Sequence, residues 1–123
     1  MDKELLENLK EGSRVELKKC ESELPSSFWR TYSGFANADG GTIYLGVSKA
    51  EESKNNLTGV KNHDEIVKEI LVNANDRSKV SANLLSGHDI EEAEVDGKHF
   101  IAVHVRPADI YERPVFLDGN PYN

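Results

Sequence analysis

Read for the alternation of apolar and polar positions, the chain divides into short segments of two periods, one helical and one strand-like. In KELLENLKEG, Leu5, Leu6 and Leu9 fall at helical spacing and Gly12 is a natural stop. SRVELKK then alternates, with Arg14, Glu16 and Lys18 on one face and Val15 and Leu17 on the other, as in a half-buried strand. Pro25 suits the first turn of a following helix, and Phe28, Tyr32, Phe35 and Ala36 form one apolar stripe along it. Gly34 lies inside that helix at a cost of about 1 kcal/mol relative to alanine, which suggests a close helix-to-sheet contact. Thr42–Val47 reads as a buried central strand and Leu57–Val60 as a short return strand. Asn62 and Glu65 have capping-box spacing ahead of a helix whose buried stripe is Ile66, Val67, Ile70 and Leu71.

The second half continues in β character. Lys79–Leu85 has no clear period, whereas Asp96-Gly97 joins two strand-like runs as a hairpin turn. Phe100–Val105 is almost wholly apolar, a central strand that Pro107 ends. A further hairpin opens at Asp118-Gly119, with its second strand incomplete at Asn123. The pattern predicts an α+β fold: a mixed sheet of about five or six strands with two or three packed helices, in one domain spanning residues 1–123. The unfinished hairpin suggests the N-terminal part of a longer protein, truncated before its last strand.

Composition narrows the class of protein. With 37% apolar and 30% charged residues among 123, the chain has the make-up of a globular domain. The single cysteine, Cys20, has no internal disulfide partner, the N-terminus lacks a hydrophobic leader, and no apolar run approaches bilayer length. A cytoplasmic protein without a membrane is the expectation. The net charge of −7 is unevenly spread. Residues 1–50 carry 7 Lys/Arg against 8 Asp/Glu, net −1, and residues 51–123 carry 8 against 14, net −6. A polyanion-binding face must therefore be local, and the first half is the place for it.

Four features carry candidate chemistry. The glycine pair of NADGG, Gly40-Gly41, follows a helix and precedes a strand. A phosphate cradle has the reverse order, so a turn is the better reading. Glu11 and Glu16 could converge on Mg²⁺ or Mn²⁺, although in so acidic a chain both are expected to be solvated, Glu16 beside Lys18. Arg14, Lys18, Lys19 and Arg30 are the candidate phosphate contacts, with Trp29 and Tyr32 as candidate stacking surfaces or, alternatively, core aromatics. His99 and His104 face opposite sides of one strand, His63 and His88 have no spaced partners, and Cys20 has no adjacent base. No metal site and no cofactor are expected from these residues.

Taken together, VELKK, LPSSFWRTYSGFANADGGTIYLGV, LTGV and VHVRPADIYERPVFLDG resemble the AlbA-like, Schlafen-type DNA-binding domain of bacterial transcriptional regulators and divergent AAA-type ATPases. Glu16 and Lys18 match its E-x-K strand. Phe35, Ala36, Asn37, Gly40 and Gly41 match its helix-to-strand corner, Gly46-Val47 the end of the next strand, and Gly59-Val60 the short return. The resemblance implies a nucleic-acid-binding module of a transcriptional regulator, non-catalytic, with DNA favoured over RNA. Nucleolytic Schlafen proteins, which cut RNA, carry two glutamates spaced as Glu11 and Glu16 are, and an aspartate after the GV strand. Here that place holds Ser48 and Lys49, and Glu51 or Glu52 would serve only if the loop folds back. A metal-dependent ribonuclease is therefore the alternative, and an oligomerisation or protein-interaction module a third reading.

Overall fold

A computed structural model describes residues 1–120. Helix α1 (Lys3–Asn8) leads into β1 (Val15–Lys18), α2 (Phe28–Ala36) and β2 (Gly41–Leu45). Two short strands, β3 (Val47–Ser48) and β4 (Asn56–Leu57), precede α3 (His63–Ala74), and β5 (Ile90–Val95) and β6 (Lys98–Val105) follow. The expected α+β architecture is present with fewer strands in its main sheet. That sheet has four, in the order β1-β2-β6-β5, and β3 and β4 pair separately as a ribbon. Strands β1 and β2 are parallel and the remaining neighbours antiparallel.

Each face of the sheet covers an apolar cluster. On one side Ile43, Leu45, Ile101, Val103 and Val105 meet Phe28, Tyr32 and Ala36 of α2 and Ile66 and Ile70 of α3. On the other, Leu17 and Phe100 meet Leu6 of α1 and Val47. Burial of alternate residues on β1 and β2 is the direct product of the period of two, and the α2 stripe is buried as its spacing requires. Cys20 is buried too, and burial, followed by the charge of Glu69, pushes its thiol up to about 11, so it is no nucleophile. No helix among the described residues is long and apolar enough to cross a membrane.

Several boundaries differ from the sequence pattern. The expected strand 42–47 breaks at Gly46, where φ is 96° and the backbone turns out of the main sheet into the ribbon. The Gly46 carbonyl accepts hydrogen bonds from the Thr58 and Gly59 amides, both at 2.9 Å, and a Cβ on Gly46 would stand 3.0 Å from the Gly59 backbone. The return strand begins earlier than expected, at Asn56, and extends only to Leu57. Helix α1 stops at Asn8 rather than near Gly12, and Pro25 lies in the turn before α2, its carbonyl accepting from the Phe28 amide at 3.0 Å. Gly34 is exposed and a Cβ there would touch nothing, so no helix-to-sheet contact explains it. The Asn62 capping box does not form: its amide nitrogen donates to Ser22 O at 2.9 Å and to Glu65 Oε2 at 3.5 Å, and its Oδ1 is buried without a hydrogen-bond partner among the described residues. The Asp96-Gly97 turn is as expected, both residues holding positive φ. At Asp118-Gly119 the turn is formed, while the second strand of that hairpin falls partly outside the described residues.

Candidate functional site

The corner Phe35–Gly41 is a structural clamp. Asn37 pairs both ends of its amide with Val115, donating to its carbonyl at 2.8 Å and accepting from its N–H at 2.7 Å. Ala36 O accepts from the Ala108 amide at 2.8 Å, and Arg113 donates to the carbonyls of Ala108, Asn37 and Ala38. Gly40 takes φ of 80° and its N–H goes to Phe35 O at 2.9 Å. A Cβ on Gly41 would come within 2.8 Å of the Phe35 ring. The glycine pair thus seats a strand against a helix end, and the Gly40 N–H points to a carbonyl rather than to an anion.

Glu11 is exposed and Glu16 half-buried beside Lys18, as expected, and the two carboxyls also interact with each other. Burial raises the Glu16 carboxyl above its ordinary range, and the adjacent Glu11 carboxyl, hydrogen-bonded to it, raises it further. Lys18, with its ammonium 4.0 Å from Glu16, acts in the opposite direction. The following loop folds back on α1: Asn55 donates to Leu6 O at 3.0 Å and to Leu9 O at 2.8 Å. A cleft of about 590 Å³ results, lined in part by Glu7, Glu11, Lys49, Glu51 and Glu52, with Glu16 outside the lining. No third carboxylate joins the Glu11–Glu16 pair at ligand spacing among the described residues. The pair, with a lysine beside it, does not fit a divalent ion held by three acids.

The candidate cations separate in space. Lys18 is almost covered, its side chain 10% exposed, and it donates to Ser27 Oγ at 2.8 Å. Lys19 is exposed and pairs with Glu21 at 3.5 Å. Arg14 lines a cleft of about 440 Å³ with Thr42, Asp89, His104 and Arg106. Arg30 lines a second, of about 300 Å³, with Ser26, Ser33, Lys79 and Asp118. Trp29 and Tyr32 are core aromatics, 5% and 0% exposed, stacked edge-to-face on each other and, for Trp29, on Phe28. They offer no stacking surface and are the core aromatics of the alternative reading: Tyr32 lies on the stripe that faces the core, and Trp29, beside that stripe, is buried with it.

Sequence reasoning missed the loop after β6. Ile110 and Tyr111 are 81% and 95% exposed. The loop beneath them is firmly held: Arg106 grips Glu112 through two hydrogen bonds at 2.9 and 3.1 Å, and Asp109 Oδ1 accepts from the amides of Tyr111 and Glu112. The Arg106 guanidinium draws the Glu112 carboxyl down to about 2. Arg106 therefore roots this loop and lines the Arg14 cleft at once. His104 joins it from β6, with Thr42 Oγ1 3.0 Å from Nδ1 and Glu91 Oε1 3.1 Å from Nε2. No periodicity marks this grouping, which arises from pairing of β2 with β6 across 62 residues. His63, without a partner in the sequence, also acquires neighbours, the stacked ring of His99 and the carboxylates of Asp64 and Glu92.

Known proteins place this arrangement in context. A family model described as Schlafen, AlbA_2 matches residues 11–120. Among solved structures, one is the N-terminal domain of a Nitrosomonas europaea protein described as related to the ATP-dependent DNA helicase RecG. It is 25% identical, with a TM-score of 0.76, over 96% of this chain and 82% of that chain. A Corynebacterium diphtheriae protein, 15% identical with a TM-score of 0.53, shares the fold over 86% of this chain and 19% of its own. No curated protein matches the chain.

Proposed function

The chain belongs to the Schlafen, AlbA_2 family, and from that premise we propose that it is a non-catalytic nucleic-acid-binding module, with DNA favoured over RNA. On this reading it is the N-terminal part of a longer regulatory or DNA-processing protein. The observation that carries the proposal is the cleft of Arg14, Thr42, His104 and Arg106 beside the braced loop that exposes Tyr111. Arg14 forms no ion pair among the described residues and so is free to meet a phosphate. Thr42, its hydroxyl held to His104, and Arg106, its guanidinium paired with Glu112, line the same cleft, which leaves Arg14 as its unpaired cation among the described residues. Tyr111 offers an exposed ring to an unpaired base, the role that Trp29 and Tyr32 are too buried to fill. The similarity to the N-terminal domain of a helicase-related protein supports the same class of ligand.

Fluorescence anisotropy with labelled single-stranded DNA, duplex DNA and RNA, each across a salt series, tests the proposal. Two or three phosphate contacts give a slope of log affinity against log salt of about −2 to −3. Arg14→Ala lowers affinity for every sequence and flattens that slope by about one. Absence of binding by both this chain and a longer one containing it would overturn the reading.

A second reading rests on the contact between Glu11 and Glu16. It would make the domain a metal-dependent ribonuclease using Mg²⁺ or Mn²⁺, and Lys18 beside the pair and the lack of a third carboxylate at ligand spacing among the described residues count against the ion. Incubation of structured RNA with Mn²⁺ decides between the two. Cleavage that a Glu11→Ala/Glu16→Ala variant abolishes would replace the non-catalytic proposal, and cleavage that the variant retains would belong to a contaminant.

A further inference from the structure

A second cluster of ligand-type side chains lies where α3 begins over the edge strand β5. His63 Nδ1 stands 3.2 Å from Asp64 Oδ1 and 3.2 Å from Glu92 Oε1. Across 29 residues of sequence, a helix start and a strand thus bring three donor atoms within 4.8 Å of one another. The His63 ring is held in orientation by His99, stacked at 3.8 Å between centroids and 15° between planes. Asp64 and Glu92 have no ion-pair partner other than His63 among the described residues.

We propose that His63, Asp64 and Glu92 form a binding site for a divalent first-row transition ion of the Zn²⁺ class. Two ligand bonds of about 2.1 Å at the tetrahedral angle place their donor atoms about 3.4 Å apart, close to the 3.2 Å found on both edges from His63 Nδ1. One imidazole with two carboxylates suits Zn²⁺, Co²⁺ or Mn²⁺ and gives a poor match to the all-oxygen shells of Mg²⁺ and Ca²⁺. Water completes the coordination, since Asp64 is almost fully exposed and Glu92 about half exposed. The positive end of the α3 dipole opposes a cation here, and the two carboxylates outweigh that partial charge. The site owes nothing to the Glu11–Glu16 pair, which lies in the connection after α1 and on β1 and involves other side chains. A bound ion ties the start of α3 to the edge strand and so stabilises the folded chain by mass action.

Calorimetric titration of tag-free protein with Zn²⁺, paired with the visible absorption of added Co²⁺, tests the assignment. One equivalent binds per chain, the melting temperature rises, and millimolar Mg²⁺ does not compete. His63→Ala and Glu92→Gln each weaken Zn²⁺ binding at least tenfold, and Glu11→Gln/Glu16→Gln leaves it unchanged. Glu92→Gln, a surface isostere, keeps the result interpretable should His63→Ala disturb the fold. Equal Zn²⁺ affinity in the wild type and Glu92→Gln, or equal competition by Mg²⁺, would overturn the proposal.

Discussion

At Gly40 the backbone holds φ at 80°, and a Cβ would lie 2.7 Å from Val105 O and 2.9 Å from the Pro107 ring. Gly34, six residues earlier, has helical geometry and open space around it. The two glycines therefore respond oppositely to one methyl group. Gly40→Ala combines left-handed strain with a backbone clash and costs roughly 3 kcal/mol. Gly34→Ala removes a helix-interior glycine and stabilises by about 0.5–1 kcal/mol. Urea unfolding of both variants checks the pair: the midpoint falls for the first and rises for the second. Gly40 was legible in the sequence as a turn residue, because helix-then-strand order requires one. Gly34 was read wrongly, because sequence alone does not show which face of a helix a glycine occupies.

At the scale of elements, α1 is too short, at six residues, to persist on its own. Burial of Leu6 and the Asn55 side chain, which donates to the carbonyls of Leu6 and Leu9, hold it in place. Asn55→Ala removes both hydrogen bonds and leaves carbonyls without donors, a loss of about 2–3 kcal/mol. Hydrogen exchange then shows α1 amides losing protection while β6 amides keep theirs; equal loss in both would mean that α1 is not separately anchored. This tie couples residues more than 40 positions apart, and no local pattern announces it. By contrast the hairpin β5–β6 was readable in detail. Asp96-Gly97 sets its turn, and the turn, in pairing Val95 with Lys98, sets the register of the strands beyond it.

For the whole molecule, two carboxylates shape the dependence of stability on pH in opposite senses. Glu112 titrates at about 2 in the folded chain, below its ordinary 4.5, because of Arg106. Its contribution is complete above pH 4.5 and is lost as pH falls towards 2. Glu16 is raised above 4.5, so the folded chain binds its proton more tightly than the unfolded one does. Stability therefore declines as pH rises from 4.5 through the raised value. Thermal unfolding across pH 2–8 checks both. Glu112→Gln has a shallower acid limb than the wild type, and Glu16→Gln melts higher at pH 7 and equal to the wild type near pH 4. A constant offset at all pH values would show that neither group is responsible.

The sequence by itself determined the α+β class, the strand-helix-strand order of the first half, the hairpin, the core stripe of α2 and the family corner. Each depends on chemistry that is local along the chain: a period of two or near four, a positive-φ glycine, or a run of fixed residue types. Tertiary structure alone decided that Trp29 faces inward, that Lys18 is taken by Ser27, and that Glu11 meets Glu16. It also decided that Arg14 shares a cleft with Arg106 and that His63 meets Glu92. The reason is physical. A site is set by where separate elements dock, and docking is governed by the mutual fit of apolar faces, which no single segment encodes.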